Sequence, residues 1–237
     1  MIKDILFGDK RISRWIRAII NHFPFNNSIH CFQNKVLLSN ALLRNSSIRI
    51  NGHDNNIVIG NHVYLTNLHI LITGNNNNIT INDSVVGDQV DICVEDNKNT
   101  ISIGAHTKFA GKIHLACTES TSISIGEDCL FSSEIVIRTG DSHSILDKSG
   151  ERINPAVSVK IGDHVWVGHR AMITKGSVIG EDTVVGTGAI VTKKFTQSNV
   201  VLAGVPAKVV SEGIYWNISR VNNDYFAKLR EGKVNEK

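Results

Sequence analysis

Between Ile161 and Thr196 the chain repeats a six-residue phrase in register, and no other feature restricts its fold as much. An aliphatic residue stands at Ile161, Val167, Ile173, Ile179, Val185 and Val191, followed by Gly162, Gly168, Thr174, Gly180, Gly186 and Thr192. Four positions after each aliphatic comes a residue that is mostly small or β-branched: Val165, Ala171, Ser177, Thr183, Ala189, Phe195. A helix needs apolar residues every three to four positions and a flat strand needs alternation, so a period of six fits neither. It fits a short strand, a sharp turn and another short strand, with one large and one small side chain per hexad pointing inward. Three hexads close a triangular coil. Stacked coils pair through their backbones into an all-β parallel β-helix, for which a sustained hexapeptide repeat is the sequence signature.

Upstream the period lengthens. The isoleucines Ile59, Ile81, Ile103 and Ile125 recur every 22 residues, one coil plus four extra, and the extras are rich in Asn, Asp, Gly and Ser. Such residues tolerate left-handed backbone angles and form local side-chain turns. Asn75 to Asn78 and their counterparts are therefore expected to form widened corners, and stacked sugar contacts are the weaker alternative. The repeat lapses over residues 138–158, "RTGDSHSILDKSGERINPAVS". Insertions in a solenoid collect on one face, often the working one, which makes this polar segment a candidate active-site loop. The expected organisation is a helical or irregular segment over 1–46, a β-helix over 47–210 carrying the inserted loop, and a C-terminal helical cap and tail over 211–237.

In residues 1–25, Ile12, Trp15, Ile16, Ile19 and Ile20 recur at helical spacing among Arg11, Arg14 and Arg17. Two readings fit: a basic helix resting on the inner face of a membrane, or a helix packed on the β-helix, the pattern most surface helices share. Net charge is +3 with ten histidines counted neutral, too little to indicate a nucleic-acid partner. Cys31, Cys93, Cys117 and Cys129 lack metal-ligand spacing, and Cys129 occupies a small inward position. With no signal-like or long apolar segment in the sequence, a cytoplasmic protein is expected.

The phrase "VKIGDHVWVGHRAMITKGSVIGEDTVVGTGAIVTKKF", followed by "VLAGVPAKVV", resembles the hexapeptide-repeat acyltransferases, in particular those that O-acetylate bacterial surface polysaccharides. The likeness is strong over about 137–210 and looser back to about 57. It implies a left-handed β-helix, a homotrimer, acetyl-CoA as donor and a glycan acceptor, with no metal required. His143, in "TGDSHSI", matches the family's catalytic histidine. An alcohol is a poor nucleophile at neutral pH, and an imidazole titrating near neutrality is suited to take its proton. Asp141 or Glu134 would orient that imidazole, or Asp141 would shape the turn. No serine or cysteine has the neighbours of a covalent nucleophile, so direct transfer is expected.

By the same resemblance Trp166 lies beside the acceptor and the thioester, and Gly168, His169, Thr187, Thr192, Lys193 and Lys208 hold the CoA. His169 and Thr187 replace smaller residues usual at those motif positions, and Lys193-Lys194 replaces Lys-Asp. Three rivals stand beside this reading: a zinc site built on His164 and His169, as in γ-carbonic anhydrases of the same fold; a β-helix scaffold without chemistry; and acetyl transfer to a small sugar, nucleotide sugar or amino acid. The zinc reading lacks histidines two coils upstream, where Asp128 and Ser133 stand.

Overall fold

The computed structural model describes residues 27–219. They form a parallel β-helix of three sheets, two of eight strands and one of nine, each coil contributing one strand to each sheet in turn. The first sheet runs from Asn27–His30 to Ile190–Val191, the second from Lys35–Leu38 to Lys194–Phe195, and the third from Leu42–Arg44 to Val200–Gly204. Every pairing between coils is parallel, and the third sheet ends in an antiparallel partner, Ala207–Glu212.

The register reproduces the sequence periods. Ile103 pairs with Ile81 and Ile125, Ile125 pairs with Ile161 across the inserted loop, and Ile161 pairs with Ile179. The large aliphatics of successive coils stack into one buried column per sheet, together with the small set Val165, Ala171, Ser177, Thr183 and Ala189. Removing such a large aliphatic side chain from water contributes about 1.5–3 kcal/mol. The final hexad departs from the expected phase. Phe195 pairs with Ile179, so it fills a large inward position, and the corner before it is two residues shorter than its predecessors. A phenyl ring is too bulky for the small position, and the chain shortens the turn instead.

At both ends the described residues differ from the expected helical segments. The β-helix already includes Asn27–His30, the first described residues, inside the segment expected to be helical or irregular. Ile29, Val36 and Leu43 pair with Ile48, Ile57 and Leu65. This first coil was masked in the sequence because its strands are 19 to 22 residues from the next and its outer residues Ile29 and Val36 are only partly buried. At the other end, residues 211–219 contain no helix. The strand Ala207–Glu212 closes a hairpin on the last third-sheet strand, covering an edge that would otherwise offer unpaired backbone. The helix expected in residues 1–25 and the cap and tail beyond residue 219 lie outside the described residues.

The long coils lengthen between the first sheet and the second: Ile70 to Ile81 takes 11 positions and Leu115 to Ile125 takes 10, against six from Ile173 to Ile179. First-sheet strands there span five or six residues, as in His69–Thr73 and Val90–Glu95, against two in Met172–Ile173. The corner is held from within by a ladder of buried asparagines. The Oδ1 of Asn55 accepts from Asn77 N and Nδ2, both at 2.9 Å, and the Oδ1 of Asn77 accepts from Asn99 N and Nδ2 at 2.8 and 3.0 Å. Asn34 starts the ladder below Asn55, and Thr121 ends it above Asn99. Asn76, beside the ladder, has the left-handed φ of 58° expected of a turn residue. The corner is thus turn chemistry, with Asn77 turned inward to satisfy buried backbone.

Candidate active site

The inserted loop leaves the first-sheet strand Ile135–Arg138 and returns at the second-sheet strand Val159–Ile161, at the corner that the asparagine ladder widens below it. Although exposed almost throughout, the loop is braced. Asn154, only 6% exposed, sits at its centre: Oδ1 accepts from Ile145 N at 2.7 Å, and Nδ2 donates to His143 O at 2.8 Å and Asp141 Oδ2 at 2.9 Å. Arg152 closes a two-pronged ion pair on Glu119 (2.9 and 2.6 Å), one coil earlier. From the next coil Lys175 Nζ reaches back to Asp141 Oδ2 and to Asn154 O. The Lys175 ammonium, with the Asn154 amide, holds the Asp141 carboxyl below the usual carboxylate range. The hydrogen bond from Arg152 does the same for Glu119.

His143 therefore sits on an exposed loop whose backbone is pinned at its own carbonyl. The two carboxylates expected to orient its ring do not touch it. Asp141 is engaged by Lys175 and Asn154, while Glu134 faces the opposite corner and pairs with Arg170 Nε at 2.8 Å. Asp141 shapes the loop. Asn154, Lys175, Arg152 and Glu119 were not singled out from the sequence. The Asn154-Pro155 dipeptide was the one available signal, because an asparagine before proline in a loop often organises the turn.

The remaining expected site residues fall on different edges of the prism. Gly168, His169 and Thr187 share the corner from the third sheet to the first. A Cβ on Gly168 would lie 2.7 Å from Thr187 N, so glycine alone permits this approach of adjacent coils. The Nδ1 of His169 lies 2.8 Å from Ser133 Oγ and 3.0 Å from Ser133 O. Thr192 and Lys193 lie on the corner two coils beyond the loop of His143, with the Lys193 ammonium 5.3 Å from the Phe195 ring centre. Lys208 is exposed on the terminal hairpin, opposite Ala203. His164 and His169 occupy separate corners and are committed elsewhere, His164 Nδ1 to Asp182 Oδ1 at 2.7 Å. Within one protomer they do not converge.

Trp166 projects from the third sheet and is 40% exposed. It is not a bare indole. Trp216, from the segment after the hairpin, lies with its ring centre 6.0 Å away, stacks on His164 at 4.2 Å and 9°, and donates Nε1–H to His164 O at 2.8 Å. Trp216 was expected to belong to a helical cap; it is instead a buried wedge that backs the exposed tryptophan.

Coils of 18 and 22 residues, glycine-tight corners and one braced, inserted loop make up a parallel β-helix that matches the left-handed type. Residues 158–193 match the family described as bacterial transferase hexapeptide (six repeats). The crystal structure of the polysialic acid O-acetyltransferase OatWY superposes with a TM-score of 0.78 at 31% identity, covering 86% of this chain and 98% of that one. The chain belongs to the hexapeptide-repeat acetyltransferases. It is 35% identical over 100 residues to a polysialic acid O-acetyltransferase of Escherichia coli O1:K1 / APEC, a match covering 42% of this chain and 32% of the relative. It is also 35% identical over 106 residues to the galactoside O-acetyltransferase of Escherichia coli K12, covering 44% and 51%. The chain thus spans about a third to a half of the length of these curated relatives.

Proposed function

We propose that the protein transfers acetyl from acetyl-CoA to a hydroxyl of a bacterial surface polysaccharide or its sugar precursor, directly and with His143 as general base. The observation that carries this reading is the braced loop. It holds an exposed histidine whose main chain is pinned by Asn154, at a corner that two further coils extend toward Lys193. In the step proposed, an imidazole nitrogen takes the acceptor's hydroxyl proton as the oxygen attacks the thioester carbonyl. The new C–O bond forms, the C–S bond breaks, and the CoA thiolate leaves with the proton returned by the imidazolium.

The pantetheine arm would run along the corners that carry Gly168, His169, Thr187 and Thr192, where close coils leave backbone groups at the surface. Lys193 and Lys208 would face the nucleotide phosphates. These residues lie on separate edges of one chain, which supports a homotrimer in which one protomer's loop faces its neighbour's corner across a ring-closing interface. Trp166, backed by Trp216, would form a wall beside the acceptor. A cytoplasmic site, near the membrane where surface glycans are assembled, fits this substrate class.

The test is free-thiol release from acetyl-CoA against a panel of polysaccharides, their fragments, free sugars and serine, with wild type and His143→Ala side by side. Acceptor-dependent release that disappears in the variant, with CoA binding and oligomeric state retained, is expected because a general base acts on the transition state. Near-normal turnover in His143→Ala overturns the assignment of the base. A preference for free sugars or serine over any glycan would redirect the acceptor.

A further inference from the structure

The outer face of the first sheet carries a feature that the core does not require. Downstream coils close with 18 residues and two-residue first-sheet strands, yet the long coils spend four or five more between the first sheet and the second, lengthening this face toward the corner that carries the loop of His143. Three adjoining depressions cross this face, from the corner where the chain enters it off the third sheet to the widened edge beside the loop. Two, of about 490 and 520 Å³, share Gln89 and Lys112, and the second meets a smaller one at His114. The smaller depression is bordered by Arg138, Gly140 and Ser142, so the trough ends at the residue before His143. There Arg138 Nη2 donates to Ser142 Oγ at 3.0 Å, joining the floor of the trough to the loop.

The lining suits one kind of occupant. His69, Asp91 and His114 occupy the same outward position on successive coils, with His114 Nδ1 2.6 Å from Asp91 Oδ2. Beside them, outward-facing Leu71 is 39% exposed. Hydrogen-bonding groups thus recur once per coil, about 4.8 Å apart, a rise comparable to one sugar ring in an extended chain, and Leu71 offers an apolar patch for a ring's C–H face. Lys112 and Arg138 are interspersed with Asp91 and Glu134 along the three depressions, a mixed-sign surface that favours a hydroxyl-rich chain over a nucleic acid.

We propose that this trough is an acceptor track: a polysaccharide chain follows it obliquely over the first sheet and presents one of its residues to His143. The proposal rests on the acetyltransferase reading and narrows its acceptor to a polymer, not a free sugar precursor. Its test compares a set of bacterial polysaccharides, polysialic acid among them, with the di- or trisaccharide cut from each. The enzymes are the wild-type protein, a double variant Asp91→Ala/His114→Ala and a single variant Leu71→Arg. All three positions face outward, and the double change removes both partners of one ion pair together.

The wild type should show a KM for polymer, counted per acceptor residue, about tenfold or more below that of its fragment, equivalent to about 1.4 kcal/mol. Both variants should erase that advantage by raising the polymer KM while kcat on the fragment stays within about twofold. Equal KM for polymer and fragment in the wild type overturns the track, as does an unchanged polymer KM in both variants. Loss of the oligomer in either variant would make the face an interface between copies and overturn it too. Silence of the wild type on every acceptor, fragments included, would instead overturn the acetyltransferase reading on which it rests.

Discussion

Replacing Asn154 by alanine tests whether the loop is pre-built or shaped only by substrate. The side chain makes bonds to Ile145 N, His143 O and Asp141 Oδ2, with a longer one from Arg152 Nε at 3.3 Å. A neutral hydrogen bond contributes about 1 kcal/mol net. Ile145, His143 and Asp141 are exposed, so water replaces part of what is lost. We therefore expect about 1–3 kcal/mol to disappear from the preference for the observed loop conformation. Where that conformation is the competent one, its population falls, and with it kcat, by up to about 5- to 140-fold at 1.4 kcal/mol per decade. The asparagine ladder and the core are untouched, so the oligomer should persist and the KM for acetyl-CoA should stay within about twofold. The assay is steady-state thiol release at saturating acetyl-CoA, alongside thermal unfolding. Asn154→Asp separates the two halves of the interaction: it keeps the acceptor for Ile145 N–H but sets a carboxylate against Asp141, and should be no better than alanine. A kcat within twofold of wild type in Asn154→Ala would refute the claim that this residue organises the site.

Asn77→Ala removes a fully buried rung whose side chain donates to Asn55 Oδ1 and Asp96 O and accepts from Asn99 N and Nδ2. Asn99 N and Asp96 O lose a partner, at about 1–3 kcal/mol each, so denaturant unfolding at fixed protein concentration should show a loss of about 2–5 kcal/mol, against about 0.5 kcal/mol or less for exposed Asn78→Ala. A loss below that control would show that water replaces the rung. The Lys175–Asp141 clasp should survive mild acid. The Asp141 carboxyl is depressed below 3.8 in the folded state, so its stabilising contribution is fully present above that value and is lost as pH falls through the lower folded one. Amide exchange in residues 141–157 should be unchanged between pH 7 and 5 once corrected for intrinsic rates, and loop opening within that window would contradict the ion pair.

The period of six, the longer period of 22 and the lapse between Arg138 and Ser158 were enough to foresee three stacked sheets, an insertion at one corner and a histidine on it. Such signals are local: each inward residue answers to its own coil, and neighbouring coils repeat the answer. Where repetition weakened, legibility ended. The first coil, with its half-covered Ile29 and Val36, read as irregular, and Phe195 was assigned one phase because its shortened corner could not be seen. The same applies to residues joined across 33 or 34 positions. Nothing in the local sequence ties Arg152 to Glu119 or Lys175 to Asp141, because stacking of coils alone makes them neighbours. The inward turn of Asn77, the hold of Asn154 on the backbone of His143, and the seat of Trp216 behind Trp166 were likewise decided by tertiary structure. The chain by itself determined the coil, since a coil is built from consecutive residues. Which polar groups meet across coils depends on axial stacking and on the buried backbone each must satisfy, and only the assembled solenoid specifies that.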